Sequence, residues 1–207
     1  PMPEPLTTAV STPAPSAEPE DVARAGVYAL LAGVLRDIPD APLLEQVQAL
    51  EPATGRDDFS LAWEGLRLAS RHFSAAEVDD EYHQLFIGLG RGELVPYGSW
   101  YQTGFLMEQP LGVLRRELAA LGFARQAQVS EPEDHVAALC EVMGALAQDP
   151  AVEVSRQRAF YWAHLRPWVG RFCSDLEAAE AAVFYKAVAR LGARFFELEE
   201  RYLDLEV

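Results

Sequence analysis

The chain has 207 residues, half of them hydrophobic, enough for one sizeable core, and a formal charge of −15 from 17 Lys and Arg against 32 Asp and Glu. So acidic a surface disfavours nucleic acid and anionic membrane as partners and favours cationic ones such as a basic peptide. The two cysteines, Cys140 and Cys173, form no CxxC and lie in apolar helical surroundings, as reduced, buried thiols of a cytosolic protein do.

The opening stretch, "PMPEPLTTAVSTPAPSAEPE", holds six of the fourteen prolines and no Lys or Arg. It lacks the basic start and apolar run of a signal peptide. Residues 1–19 read as a disordered tail, with one folded domain over 20–207. The longest apolar run, "GVYALLAGVL" at 26–35, is too short to span a bilayer. Helical periodicity follows nearly everywhere. Phe59, Trp63, Leu66 and Phe73 share a face, as do Val78, Tyr82, Leu85, Phe86 and Leu89. The stretch "IGLGRGELVPYGSWYQTG" at 87–104 is the one long segment read as non-helical. Its five glycines match no phosphate-binding loop, and its three aromatics argue for a defined role.

In "QPLGVLRRELAALGF", Pro110 suits a first turn, Leu111, Leu114, Leu118 and Leu121 form the stripe, and Gly122 suits the stop. Val136, Leu139, Cys140, Met143 and Leu146 make the next stripe. Pro167 should break "RQRAFYWAHLRPWVGRF". The last segment carries Phe184, Val188, Leu191, Phe195, Leu198 and Tyr202 at steps of three and four. No stretch alternates with period two. The expectation is an all-α, single-domain bundle of roughly eight to ten helices.

"VSEPEDHVAALC" at 129–140 is the densest polar constellation. Ser130 and Glu133 fit a capping box, with Pro132 in the first turn and Glu131, Glu133 and Asp134 at the positive end of the helix dipole. That leaves His135 unexplained. A metal reading needs three converging ligands. The histidines, His72, His83, His135 and His164, form no HxxxH pair; Glu131 and His135 are four apart, as are Asp79 and His83. An acid/base reading makes Asp134 and His135, with Ser99 or Tyr101 as a candidate third group, a small helical metal-dependent hydrolase. A binding reading places Asp134 and His135 beside the aromatic loop. There the carboxylates take a guanidinium and Tyr97, Trp100 and Tyr101 supply apolar and cation–π surface.

Three motifs occur in order: "EYHQLFIG" at 81–88, "VPYGSWY" at 95–101 and "EPEDH" at 131–135, with "HLRPWVGRF" downstream. Over roughly residues 20 to 205 this set resembles the TorD/DmsD family of redox-enzyme maturation chaperones. The resemblance implies a TorD-like, all-helical cytoplasmic protein with no cofactor and no catalysis of its own. Its partners would be the twin-arginine signal peptide and the apoenzyme of a molybdopterin-containing oxidoreductase. By the same resemblance the signal-peptide surface comprises Leu85, Phe86, Pro96, Tyr97, Ser99, Trp100, Asp134 and His135, with Tyr101 alongside. Tyr97 stands where relatives commonly carry tryptophan. A monomer or a domain-swapped dimer is implied, with the connector at 123–131 as the natural hinge.

Overall fold

The computed structural model describes residues 18–88, 92–124 and 131–205. Among these described residues ten α-helices follow one another: α1 (Pro19–Arg36), α2 (Ala41–Gln48), α3 (Asp58–His72), α4 (Ala75–Tyr82), α5 (Gly98–Thr103), α6 (Gln109–Ala120), α7 (Val136–Gln148), α8 (Val154–His164), α9 (Val169–Ala178) and α10 (Phe184–Leu205). A single π-helical turn, His83–Ile87, extends α4. The described residues hold no strand, only an isolated antiparallel bridge between Tyr97 and His135. The all-α bundle expected from periodicity is what the chain forms.

Local chemistry starts most helices. Asp40 accepts from Leu43 N at the start of α2, and Asp57 from Ser60 N at the start of α3. Ser74 and Glu77 form a reciprocal capping box for α4. Pro110 falls in the first turn of α6, and Gly122, at φ 83°, ends that helix as expected. Pro167 separates α8 from α9.

Apolar stripes then assemble the core. α1 runs along α7, and α10 packs on α9 and α3. Tyr28, Phe160, Tyr161, Trp168, Phe172 and Phe184 are buried there, each contributing of the order of 2–3 kcal/mol by area. Cys140 and Cys173 lie in the same core. Burial pushes the Cys173 thiol up to about 12 and the Cys140 thiol higher still, so neither is poised to react.

Three expectations are revised. Residues 98–103, read as loop, form α5, which stops at Gly104 with φ 82°. The capping box read at Ser130 and Glu133 does not start α7. Ser130 lies outside the described residues, Glu133 sits in a turn, and the helix begins at Val136 with His135 as its N-cap. Leu198, assigned to the α10 stripe, is 41% exposed, whereas Glu199 beside it is 1% exposed. Residues 1–17 of the stretch read as a 1–19 tail, Leu89 and most of the 123–131 connector fall outside the described residues, and Pro19 already belongs to α1.

Candidate functional site

The "EYHQLFIG" segment departs from α-helical register. The wide turn closes through Gly88 N donating to His83 O at 2.6 Å, with Gly88 at φ 61°. Two carbonyls released by that change take partners from the following chain: Leu85 O accepts from Leu94 N at 2.8 Å and Gln84 O from Glu93 N at 3.2 Å. The approach needs Gly92, because a Cβ there would lie 2.6 Å from Leu85 O. The π turn thereby aims the chain from Leu94 to Gly98 across the molecule.

That chain meets the 131–136 segment in a two-bond clasp. Gly98 N donates to Asp134 O and Val136 N to Pro96 O, both at 2.9 Å. The Tyr97 and His135 rings meet edge to face at 5.0 Å between centroids. Each member of the Asp-His pair then caps a different helix. Asp134 Oδ2 accepts from Ser99 N at 2.7 Å in the first turn of α5, 35 residues away in sequence. His135 Nδ1 accepts from Ala137 N at 3.1 Å and starts α7. Both side chains are buried.

Burial sets the electrostatics here. It lowers His135 to about 4, helped by the nearby Arg36 charge, so the ring is neutral near pH 7 and carries its proton on Nε2. The ordinary imidazole titration near pH 6.5 does not apply to this ring inside the fold. Burial, and then the Glu131 and Asp134 carboxyls, push Tyr97 up to about 12. Ser99 Oγ and Asp134 Oδ1 are buried without a hydrogen-bond partner.

Pro96, Tyr97, Ser99, Asp134 and His135 thus converge in the fold. The other named residues do not join them at one surface. Leu85 is wholly in the core, and Phe86 packs on Tyr82 and Tyr185. Tyr101 stacks on Trp168 at 5.4 Å. With Trp100 it lines a pocket of about 440 Å³ that also holds Arg171 and Asp175.

His135 instead faces a larger groove of about 830 Å³ between the end of α1, α6 and the start of α7. Leu118, Phe123, Pro132 and Val142 give it apolar walls. Its charged residues are Arg36, Arg115, Glu131, Glu133 and Glu141. Burial raises the Glu131 carboxyl above its ordinary value, against the pull of Arg36. Arg36 bridges to Glu141, and Arg115 to Glu133 at 2.9 Å. Glu131, Glu133 and His135 stand out in the sequence, whereas Arg36, Arg115 and Glu141 do not. Their pairings span 105 and 18 residues, beyond any helical spacing signal. No group of three His, Cys, Asp or Glu side chains among the described residues is placed to hold a metal ion. No helix among them is long and apolar enough to cross a membrane.

Residues 53–174 match the family model described as nitrate reductase delta subunit. The chain is 28% identical over 148 residues to a chaperone protein TorD of Vibrio cholerae serotype O1, covering 67% of each chain. It is 23% identical over 221 residues to a chaperone protein TorD of Shewanella pealeana, covering 98% of this chain and 99% of that one. A crystal structure described as a redox enzyme maturation protein from Archaeoglobus fulgidus superposes with TM-score 0.62 at 18% identity, covering 90% of this chain and 99% of that one, a likeness of fold. With the ordered motifs and the clasp they build, these matches place the chain in the nitrate reductase delta subunit family, as a member of its TorD/DmsD group of redox-enzyme maturation chaperones.

Proposed function

We propose that this maturation chaperone is cytoplasmic and binds the twin-arginine signal peptide, the apo form, or both, of a molybdopterin-containing oxidoreductase. It thereby assists cofactor insertion and delays export until folding is complete. The observation that carries this reading is the clasp of Pro96–Gly98 onto Asp134–Val136 at the edge of the 830 Å³ groove. A twin-arginine signal offers two adjacent guanidinium groups followed by a moderately apolar stretch. The groove offers carboxylates for the first and apolar walls for the second. The −15 charge speeds and orients encounter with a cationic segment.

The metal-dependent hydrolase reading has no comparable support, because Asp134 Oδ2 and His135 Nδ1 each already hold a backbone N–H of a helix. The caps also change what an Asp134 variant reports: its loss weakens the fold of the site along with any contact to ligand. Calorimetric titration with twin-arginine signal peptides from molybdoenzymes, each beside a Lys-Lys control, tests the reading. Release for export calls for moderate affinity, on the order of micromolar, about −8 kcal/mol. Saturable binding to one peptide, weakened in its control, is expected. Absence of binding to every peptide sinks the signal-peptide component and leaves recognition of the apoenzyme body.

A further inference from the structure

We infer that Phe105, Leu106 and Met107, in the turn between α5 and α6, form an apolar prong that docks on the incompletely folded body of a client protein. This rests on the proposed recognition of an apoenzyme and gives that recognition a surface of its own. Phe105 is 68% exposed, Leu106 46% and Met107 71%. One exposed apolar side chain is ordinary on a protein surface, but three in succession mark a contact site. They end a stretch, "YQTGFLM" at 101–107, that carries no charge in a chain of net charge −15.

The backbone holds these side chains out. Gly104, at φ 82°, ends α5 and donates its N–H to Trp100 O at 2.8 Å. Thr103 Oγ1 donates to Ser99 O at 2.8 Å and accepts from Phe105 N at 3.2 Å. Beneath the turn, Arg171 donates to Tyr101 O, and Tyr101 stacks on the buried Trp168. Met107, at φ 60°, is the one non-glycine residue at positive φ among the described residues. That conformation costs a methionine stability, and no burial of its own side chain offsets the cost.

Area and charge select the occupant. The three side chains expose a few hundred Å², whereas each partner in a stable complex buries about 800 Å². A second copy therefore finds too little area, and two chains of charge −15 repel each other. The same charge opposes an anionic membrane. A small uncharged prong suits an apolar cleft, which a protein that has not completed its core exposes. The six residues of α5, about 9 Å of helix, separate the prong from the clasp. One client can thus meet the clasp with its signal segment and the prong with its body.

The probe is insulin reduced with dithiothreitol, whose freed B chain aggregates through apolar surface and scatters light. Cys140 and Cys173 are free, so the reductant breaks no bond in this protein. Equimolar wild type should delay the rise in scattering. Phe105→Ser/Met107→Ser should lose most of that delay, with melting temperature and twin-arginine peptide affinity unchanged. Met107→Gly, which accepts the positive φ, should shorten the delay without lowering the melting temperature. Leu61→Ser/Leu68→Ser, which removes two exposed leucines of α3, should keep the delay. No delay by wild type, an equal delay by the prong variants, or an equal loss in the α3 variant overturns the prong. A wild-type dimer in sedimentation velocity that Phe105→Ser/Met107→Ser dissociates also overturns it, by seating a second copy there. Peptide binding without any delay leaves the signal-peptide reading standing, and a prong-dependent delay without peptide binding sinks that reading alone.

Discussion

His135 shows how a single residue can be picked out by its sequence and yet act through something the sequence does not contain. Beside Asp134 it looks like a titrating group or a ligand. In the fold its Nδ1 is an N-cap acceptor, and its ring is sealed against Tyr97. The consequence is a pH dependence of stability with a definite sign. The unfolded chain protonates this histidine near its ordinary value, about 6.5, while the folded protein resists protonation down to about 4. Stability from this site is therefore complete above pH 6.5 and is lost as pH falls toward 4, by up to about 3 kcal/mol. Protonating Nδ1 would also cancel the cap to Ala137 N. Urea midpoints between pH 7 and 4 should fall more steeply for wild type than for His135→Asn, which keeps a capping acceptor without a titrating ring. Equal slopes would place the acid sensitivity elsewhere. The Asp-His pair was legible as special because two polar residues precede a long apolar stripe. Ser99 was legible beside it only through its hydroxyl, whereas the contact Asp134 makes is to the Ser99 backbone N–H, a cap on a helix 35 residues back.

At the scale of elements, helices with a repeating stripe were readable, and the shortest, α5, was not. The stripes of α6, α7 and α10 repeat over several turns, so periodicity locates them. α5 has six residues, among glycines and aromatics that also suit a loop. It holds because Asp134 supplies its first-turn acceptor and because Trp168 packs against Gly98, where a Cβ would approach Nε1 to 3.0 Å. The start of α10 has the same logic. "EAAVFYK" offers no Ser, Thr, Asp or Asn to cap it. Glu81, buried at the end of α4, supplies the acceptor instead, taking Val183 N, Phe184 N and Tyr185 N at 2.7, 2.9 and 2.7 Å. The glutamate of "EYHQLFIG" thus anchors α10, which explains that position without reference to a ligand. Glu81→Ala leaves three donors unpaired, two of them on the buried Phe184 and Tyr185, and should cost about 2–4 kcal/mol. Glu81→Gln, keeping one acceptor oxygen, should cost less. Hydrogen exchange would show the Val183–Tyr185 amides losing protection in the alanine variant before the rest of α10. Uniform loss along the helix would mean that packing alone sets its start.

Across the whole molecule, part of the acidic excess is turned inward. Glu81 holds backbone donors at the start of α10, Asp134 holds α5, and Glu199 holds Arg24, and all three carboxylates are buried. Net charge therefore overstates the acid that faces a partner. The Arg24–Glu199 pair also shows why one core position of α10 was misjudged. A glutamate on an apolar stripe reads as a break in it, and Leu198 beside it as the continuation. Glu199 is instead the buried residue, bound at 2.9 and 2.6 Å by an arginine 175 positions earlier. Gln157 of α8 and Asp21 of α1 complete the guanidinium's partners, Tyr28 donates to Glu199, and Tyr202 lies under the charge at 4.1 Å. Burial works against the Arg24 charge, but bonding and attraction from Glu199 outweigh it and raise its pKa. The network ties the first helix to the last, so it bears on whether the bundle closes as one unit. Removing one partner strands the other in a dry site. Arg24→Met or Glu199→Leu alone should each cost about 3–5 kcal/mol, while the double variant, apolar on both sides, should recover most of that loss. Equilibrium denaturation of the four proteins gives the coupling energy directly. Additive losses would mean that the pair is incidental to closure. A strong positive recovery would mean that the buried charges select the register of α1 on α10, with stability supplied by the surrounding aromatic core.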